Sequence, residues 1–216
     1  MRNKPISIKA LIKKIISLLK KEYPDSRCTL DFKTPHQLLV ATILSAQCTD
    51  ERVNIVTKDL FKKHKKPKDF VDVSLEELED DIRSTGFFRN KAKAIKESAA
   101  IINNNYKGKM PDNLAELVKL PGVGRKTGSV ILGAAFGIAE GIVVDTHVAR
   151  LSQRLGFTKN KDAVKIEKDL MQIVPKKDWI IFSHLLIDHG RKICNARRPD
   201  CPHCILNKLC PSANLL

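Results

Sequence analysis

The stretch Leu120-Pro121-Gly122-Val123-Gly124-Arg125-Lys126-Thr127-Gly128 lies between two segments of helical period, 113–120 and 125–136. Two glycines flanking an apolar residue permit a tight turn, and they leave backbone N–H groups exposed at the start of the following helix. Such a nest of amides binds a phosphate, touching a nucleic-acid backbone without reading its bases. An ordinary corner between helices would also accept Gly-x-Gly. The preceding Leu-Pro and the following Arg125-Lys126 make the phosphate-binding hairpin the more specific reading. Lys126 falls in the first turn of the second helix, where the positive end of the macrodipole disfavours a protonated amine. A neutral amine is a nucleophile.

On either side of the hairpin, nearly every stretch between turn signals has helical period and length. Pro35 opens 35–49, Asp50 caps 50–64, and Ser74 with Glu77 forms a capping box for 74–85. Further helices are expected over 89–104, 146–155, 162–174 and 179–194. Near the N-terminus, Ile12, Ile15 and Leu19 interleave with Lys13, Lys14, Lys20 and Lys21, the pattern of an amphipathic helix. No run alternates with period two long enough to make a strand, so the fold class is all-α.

The 216 residues suffice for one large or two small domains, and 43% hydrophobic residues is ordinary for a globular chain. Thirty-nine Lys and Arg against 24 Asp and Glu leave a net charge of +15, which favours a polyanionic partner. No apolar run reaches bilayer-spanning length, since 130–144 is broken by Glu140 and three glycines. The charge therefore points to nucleic acid and not to a membrane. Without a signal-peptide pattern, a cytoplasmic, nucleoid-associated location is expected, with Cys28 and Cys48 as free, buried thiols.

Two further motifs carry chemistry. In Val143-Val144-Asp145-Thr146-His147 an apolar run delivers a carboxylate to a helix N-cap. Capping alone would explain that aspartate. Paired with an amine nucleophile, it could also accept a proton and stabilise a cationic sugar. Cys194, Cys201, Cys204 and Cys210 follow the pattern C-x6-C-x2-C-x5-C. In a proline-interrupted span they cannot all be inert core residues, so they share disulfides, a zinc ion or an iron-sulfur cluster. Only Cys201 and Cys204 form a close pair, so a cubane suits the spacing better than a zinc knuckle.

The hairpin L-P-G-V-G-R-K-T, the V-D-T-H segment 19 residues beyond Lys126 and the 6-2-5 cysteine spacing together resemble the endonuclease III family of DNA glycosylases. The similarity runs from about Lys21 to Cys210 and includes Leu44-Ser45-Ala46-Gln47 and Thr85-Gly86-Phe87. The resemblance implies a two-lobed helix-hairpin-helix fold binding duplex DNA with damaged bases or abasic sites at its cleft, as a monomer. The lobes would be 28–138, and 1–27 with 139–216, the latter holding a [4Fe-4S] cluster in the 194–210 loop. It implies removal of oxidised pyrimidines in base excision repair, with Lys126 as Schiff-base nucleophile, Asp145 as catalytic aspartate, and cleavage 3′ to the abasic site by β-elimination. Gln47 would fill the gap left by a flipped base and Phe87, where the family often has leucine, would wedge into the stack, with Phe88 as the alternative. Gly122, Gly124, Arg125, His147, Arg197 and Arg198 would complete the DNA contacts. Two rivals remain. An adenine-specific mismatch glycosylase is expected to lack the lysine and to need a further domain beyond Cys210. A non-enzymatic zinc-knuckle DNA-binding module leaves the pairing of Lys126 with Asp145 unused.

Overall fold

Eleven α-helices and no strand make up residues 7–213, the part described by this computed structural model, in agreement with the all-α expectation. The helices divide into two units. One runs from Cys28 to Glu140; the other joins the described residues up to Arg27 to those from Gly141 onward. The first helix, α1 (Ile8–Glu22), belongs to the second of these units.

The 28–140 unit is built around α2 (Pro35–Leu44), which starts with Pro35 behind a Thr34 cap whose hydroxyl accepts the Gln37 N–H at 3.3 Å. This helix is buried over eight of its ten residues, as a helix apolar nearly all round must be. It ends five residues before the sequence pattern suggests, because Gln47 takes a left-handed backbone (φ 54°) that no helix can include. In α3 (Asp50–Lys63) the cap is Thr49 and not Asp50. Thr49 has the extended backbone of a cap and its hydroxyl accepts the Arg52 N–H, which places Asp50 inside the first turn. There it faces the positive end of the helix dipole.

The short helix α4 (Pro67–Asp72) has no counterpart in the sequence expectations. Asp69 Oδ2 accepts the N–H groups of Lys65 and Lys66 at 2.7 and 2.9 Å, and Phe70 is fully buried. Next, α5 (Leu75–Ile82) is capped by Ser74, which accepts the Glu77 N–H, one of the two bonds of the expected capping box, and a 3₁₀ turn, Arg83–Thr85, follows it. The long α6 (Phe88–Asn105) leads to a single-turn α7 (Leu114–Leu117) and to α8 (Arg125–Ile131). A π turn, Leu132–Phe136, extends α8 until Gly137 stops it in a left-handed conformation. Leu38, Leu44, Phe70, Ile82, Ile95 and Ile131 form the centre of this unit's core. Each fully buried Leu, Ile or Phe contributes about 1.5–3 kcal/mol, against about 1 kcal/mol for a cap, so packing holds the short helices in place.

In the second unit α1 buries Ile12, Ile15, Ile16 and Leu19 and carries Lys20 and Lys21 in its last turn. Against that face lies a core with Leu151, Ile166, Leu170, Phe182 and Leu185. These come from α9 (Thr146–Arg154), α10 (Ala163–Ile173) and α11 (Trp179–Lys192). Helices α9 and α11 cross so closely at Gly190 that a Cβ there would lie 2.8 Å from His147 Nδ1. Among the described residues no helix is long and apolar enough to cross a membrane. Cys28 and Cys48 are free but half-buried, where full burial was expected, because both lie at the rim of the 28–140 core.

Candidate active site and cysteine-lined pocket

The hairpin is closed by Val123 N–H donating to Leu120 O at 3.0 Å, with both side chains buried beneath it. Ser98 of α6 donates to Pro121 O at 2.8 Å and fixes the turn from below. Gly122 has φ 79°, and a Cβ on it would press to 3.2 Å of Ala94 and 3.3 Å of Ile43, so conformation and space both require glycine. A Cβ on Gly124 would meet nothing within 4 Å, so the backbone there is open to an approaching ligand. No side chain caps α8, whose first-turn N–H groups follow Gly124. Arg125 and Lys126 occupy that first turn and are exposed. One turn later, a Cβ on Gly128 would come within 2.7 Å of Leu114 Cδ1, which shows how tightly α7 and α8 cross.

Two more expected positions lie at loops of the same unit. Gln47 is exposed at the end of α2, and Phe87 begins α6 with φ 48°. Phe87 is 64% exposed, the largest value among the exposed large hydrophobics, and leaving so much apolar surface in water is unfavourable. Phe88 differs. It packs against the core, with the Arg83 guanidinium 4.8 Å from its ring centroid. Of the two phenylalanines, only Phe87 is presented to solvent.

Asp145 and His147 belong to the other unit. Asp145 is the N-cap of α9, its Oδ1 accepting the Val148 N–H at 2.8 Å. His147 is half-buried with Nδ1 3.1 Å from Arg150 Nη2; burial pushes its pKa down, against the Asp145 charge. A residue absent from the sequence expectations, His184 of α11, also feels Asp145: burial lowers its pKa while Asp188 and Asp145 oppose the shift.

The four C-terminal cysteines are free, half-buried, and line one pocket with His189 and Leu206. Burial raises the pKa of the Cys204 thiol, and the charges of Cys194, Cys210 and Cys201 raise it further, so each sulfur lies in the field of the others. Donors point at this sulfur set. Arg154 Nη1 donates to Cys194 Sγ at 3.3 Å, Leu206 N–H to Cys204 Sγ at 3.4 Å, and His189 Nε2 lies 3.3 Å from Cys204 Sγ. Such contacts are what a thiolate needs when it is taken out of water as a metal ligand. Among the described residues, no three of these sulfurs lie within 4.8 Å of one another. A tetrahedral zinc with ligands at about 2.3 Å would hold its sulfurs about 3.8 Å apart. As placed, the sulfurs stand further apart than a single zinc would hold them.

Arg197 and Arg198 are exposed in the loop between Cys194 and Cys201. The loop itself is held by arginines that sequence reasoning did not single out. Arg150 donates to the carbonyls of Gly190 and Cys194, and Arg154 to those of Asn195 and Ala196. Their spacing of four puts both on one face of an amphipathic helix, but the carbonyls they reach lie 40–44 residues further along the chain, so no local signal points to the pairing.

The description "HhH-GPD superfamily base excision DNA repair protein" matches residues 40–176. The chain is 54% identical to endonuclease III of Synechocystis sp. over 92% of this chain and 91% of that one. It is 51% identical to endonuclease III of Bacillus subtilis, over 87% and 86%. Among solved structures it is similar to a non-covalent endonuclease III–DNA complex and to a trapped endonuclease III–DNA covalent intermediate. Each has a TM-score of 0.89 and 47% identity, covering 96% of this chain and 97% of theirs. The hairpin and the helices that hold it are thus those of a helix-hairpin-helix base excision DNA repair protein. Within that superfamily the chain belongs to the endonuclease III family.

Proposed function

We propose that this base excision DNA glycosylase and AP lyase removes oxidised pyrimidines from duplex DNA through a Schiff base on Lys126, with Asp145 as the catalytic carboxylate. One observation carries the assignment. Lys126 is exposed on the first turn of α8, directly after a hairpin whose backbone is open at Gly124, in a chain similar to an endonuclease III trapped covalently on DNA.

In this reading Gly122, Gly124 and Arg125 hold a phosphate of the damaged strand, Phe87 enters the stack, and Gln47 occupies the space left by the flipped nucleotide. His147 contacts DNA beside Asp145, and Arg197 and Arg198 hold phosphates. The Nζ lone pair of Lys126 forms a bond to C1′ as the C1′–N glycosidic bond breaks, and the departing base keeps the electrons of the broken bond and takes a proton from water. Asp145 accepts the proton lost by the attacking amine and offsets the cationic charge on the sugar. Opening of the ring gives an imine to Lys126, which acidifies the 2′ proton. Loss of that proton breaks the C3′–O bond, and hydrolysis frees the lysine. Excision and strand cleavage then share one nucleophile.

Cys194, Cys201, Cys204 and Cys210 would hold a [4Fe-4S] cluster. The group supplies a cross-link that shapes the loop bearing Arg197 and Arg198, since four thiolate ligands leave no open position for hydrolysis. Its substrate would place the enzyme at the nucleoid.

Borohydride trapping on duplexes with an abasic site tests the nucleophile. Wild-type protein is expected to form a covalent adduct and Lys126→Ala none; an adduct persisting in the variant overturns the assignment. Iron and labile sulfide in equal amounts are expected in anaerobically purified protein. Zinc in their place would remove the cluster from this account.

A further inference from the structure

Lys91 lies in the first turn of α6, is 5% exposed, and uses Nζ to join two loops. It donates to Leu44 O at 2.8 Å and to Thr85 O at 2.8 Å. Leu44 is the last residue of α2, and its carbonyl is one of those a helix end leaves without an intrahelical partner. Three residues on comes Gln47, with φ 54°. Thr85 ends the 3₁₀ turn, and two residues on comes Phe87, with φ 48°. Among the described residues only Gln47, Phe87 and Lys107 are non-glycine residues with positive φ, so Lys91 holds carbonyls three residues ahead of one and two residues ahead of another of the three. Strained backbone of this kind persists only where surrounding contacts over-determine it, and such positions gather at functional sites.

A core position that needed only volume would be better served by Leu or Met, because burying an ammonium is unfavourable and is offset here through hydrogen bonds to carbonyls. Burial lowers the pKa of Lys91, and only the nearby Cys48 opposes the shift. What a lysine adds at this position is a directional tie. Two turns of backbone, at Leu44 and Thr85, are brought to one point by an amine 47 and 6 residues from them in sequence.

We propose that Lys91 is a positioning residue that locks the Gln47 loop to the Phe87 loop, so that gap-filler and wedge enter the duplex as one preorganised unit. The inference rests on the proposed roles of Gln47 and Phe87. Lys96, further along α6, is an internal control: it makes a similar tie, donating to Phe70 O and Val71 O at the end of α4, with neither loop involved.

The test compares single-turnover rates of Lys91→Met, Lys96→Met, Phe87→Ala and Lys91→Met/Phe87→Ala on two substrates. One is a duplex with an oxidised pyrimidine; the other is a single strand with an abasic site, where no stack has to be entered. Lys91→Met is expected to lose at least about tenfold on the duplex while keeping its rate on the single strand, and to lose the fluorescence rise of 2-aminopurine placed beside the lesion. Lys96→Met keeps both. The double variant is expected to be no slower than Phe87→Ala alone. Equal losses on both substrates, or independent multiplication of the two effects, would overturn the role of Lys91. A Phe87→Ala protein with full duplex activity would instead overturn the wedge reading itself. Should Lys91→Met not fold, hydrogen exchange in the wild type decides: amides of 45–48 and 85–88 are expected to open together, and separate opening rates refute the tie.

Discussion

Asp145 caps α9 and is proposed to serve the reaction, and one substitution separates the two roles. Its Oδ1 caps α9 through the Val148 N–H, and asparagine caps a helix about as well as aspartate. Asparagine cannot accept a proton or offset a cationic sugar. Asp145→Asn is therefore expected to keep the wild-type melting temperature and DNA affinity while turnover falls about 10²–10⁴-fold, measured by single-turnover excision. Lowered turnover accompanied by a lowered melting temperature would return Asp145 to the status of a cap. Phe87 and Phe88 show the limit of residue-level reading. Both are phenylalanines at one turn, and only the left-handed backbone of Phe87 sets which ring faces solvent and which packs beneath Arg83.

At the scale of elements, α2 carries an acid-sensitive group unconnected with catalysis. His36 is 4% exposed, its ring lies edge-on to Phe70 with centroids 5.2 Å apart, and neither ring nitrogen has a hydrogen-bond partner. Burial pushes its pKa down to about 4, with the Asp69 charge opposing. The unfolded chain binds this proton near pH 6.5 and the folded chain only near 4, so between those values the unfolded state holds more protons. Stability is full above about pH 6.5 and declines as pH falls toward 4, by at most about 3 kcal/mol. In urea melts at pH 7 and pH 4.5, His36→Leu is expected to narrow the gap in midpoint shown by the wild type. An unchanged gap would mean that other groups set the acid sensitivity. Helix α9 belongs to the same scale: its Arg150 and Arg154 reach the carbonyls of residues 190–196, so the helix that Asp145 caps also holds the cysteine loop.

For the whole molecule the governing quantity is the net charge of +15. Binding to duplex DNA is expected to weaken steeply with salt, because each phosphate neutralised releases counterions. If Arg197 and Arg198 each hold a phosphate, Arg197→Ala/Arg198→Ala lowers the slope of log K against log salt by about 2, read by fluorescence anisotropy on undamaged duplex. A slope equal to that of the wild type would show those arginines to be solvated loop charges.

Local pattern was enough for the all-α class, the hairpin at 120–128, the cap at Asp145 and the cysteine spacing. In each of these the interacting groups lie within a few residues of one another, so their chemistry is written as spacing. The same was not true of α4, whose six residues are too few for a periodic signal and whose existence depends on Phe70 being buried and on Lys96 of α6 reaching its last carbonyls. Nor could the sequence show that Thr49 rather than Asp50 caps α3, since both are good capping residues and the chain's path chooses between them. Lys91 is the clearest case. In sequence it is one of 39 basic residues, and a lysine is by default a solvated charge. Only the fold brings Leu44 and Thr85 to its amine, because contacts between residues far apart in the chain are set by how helices pack and not by any motif around them.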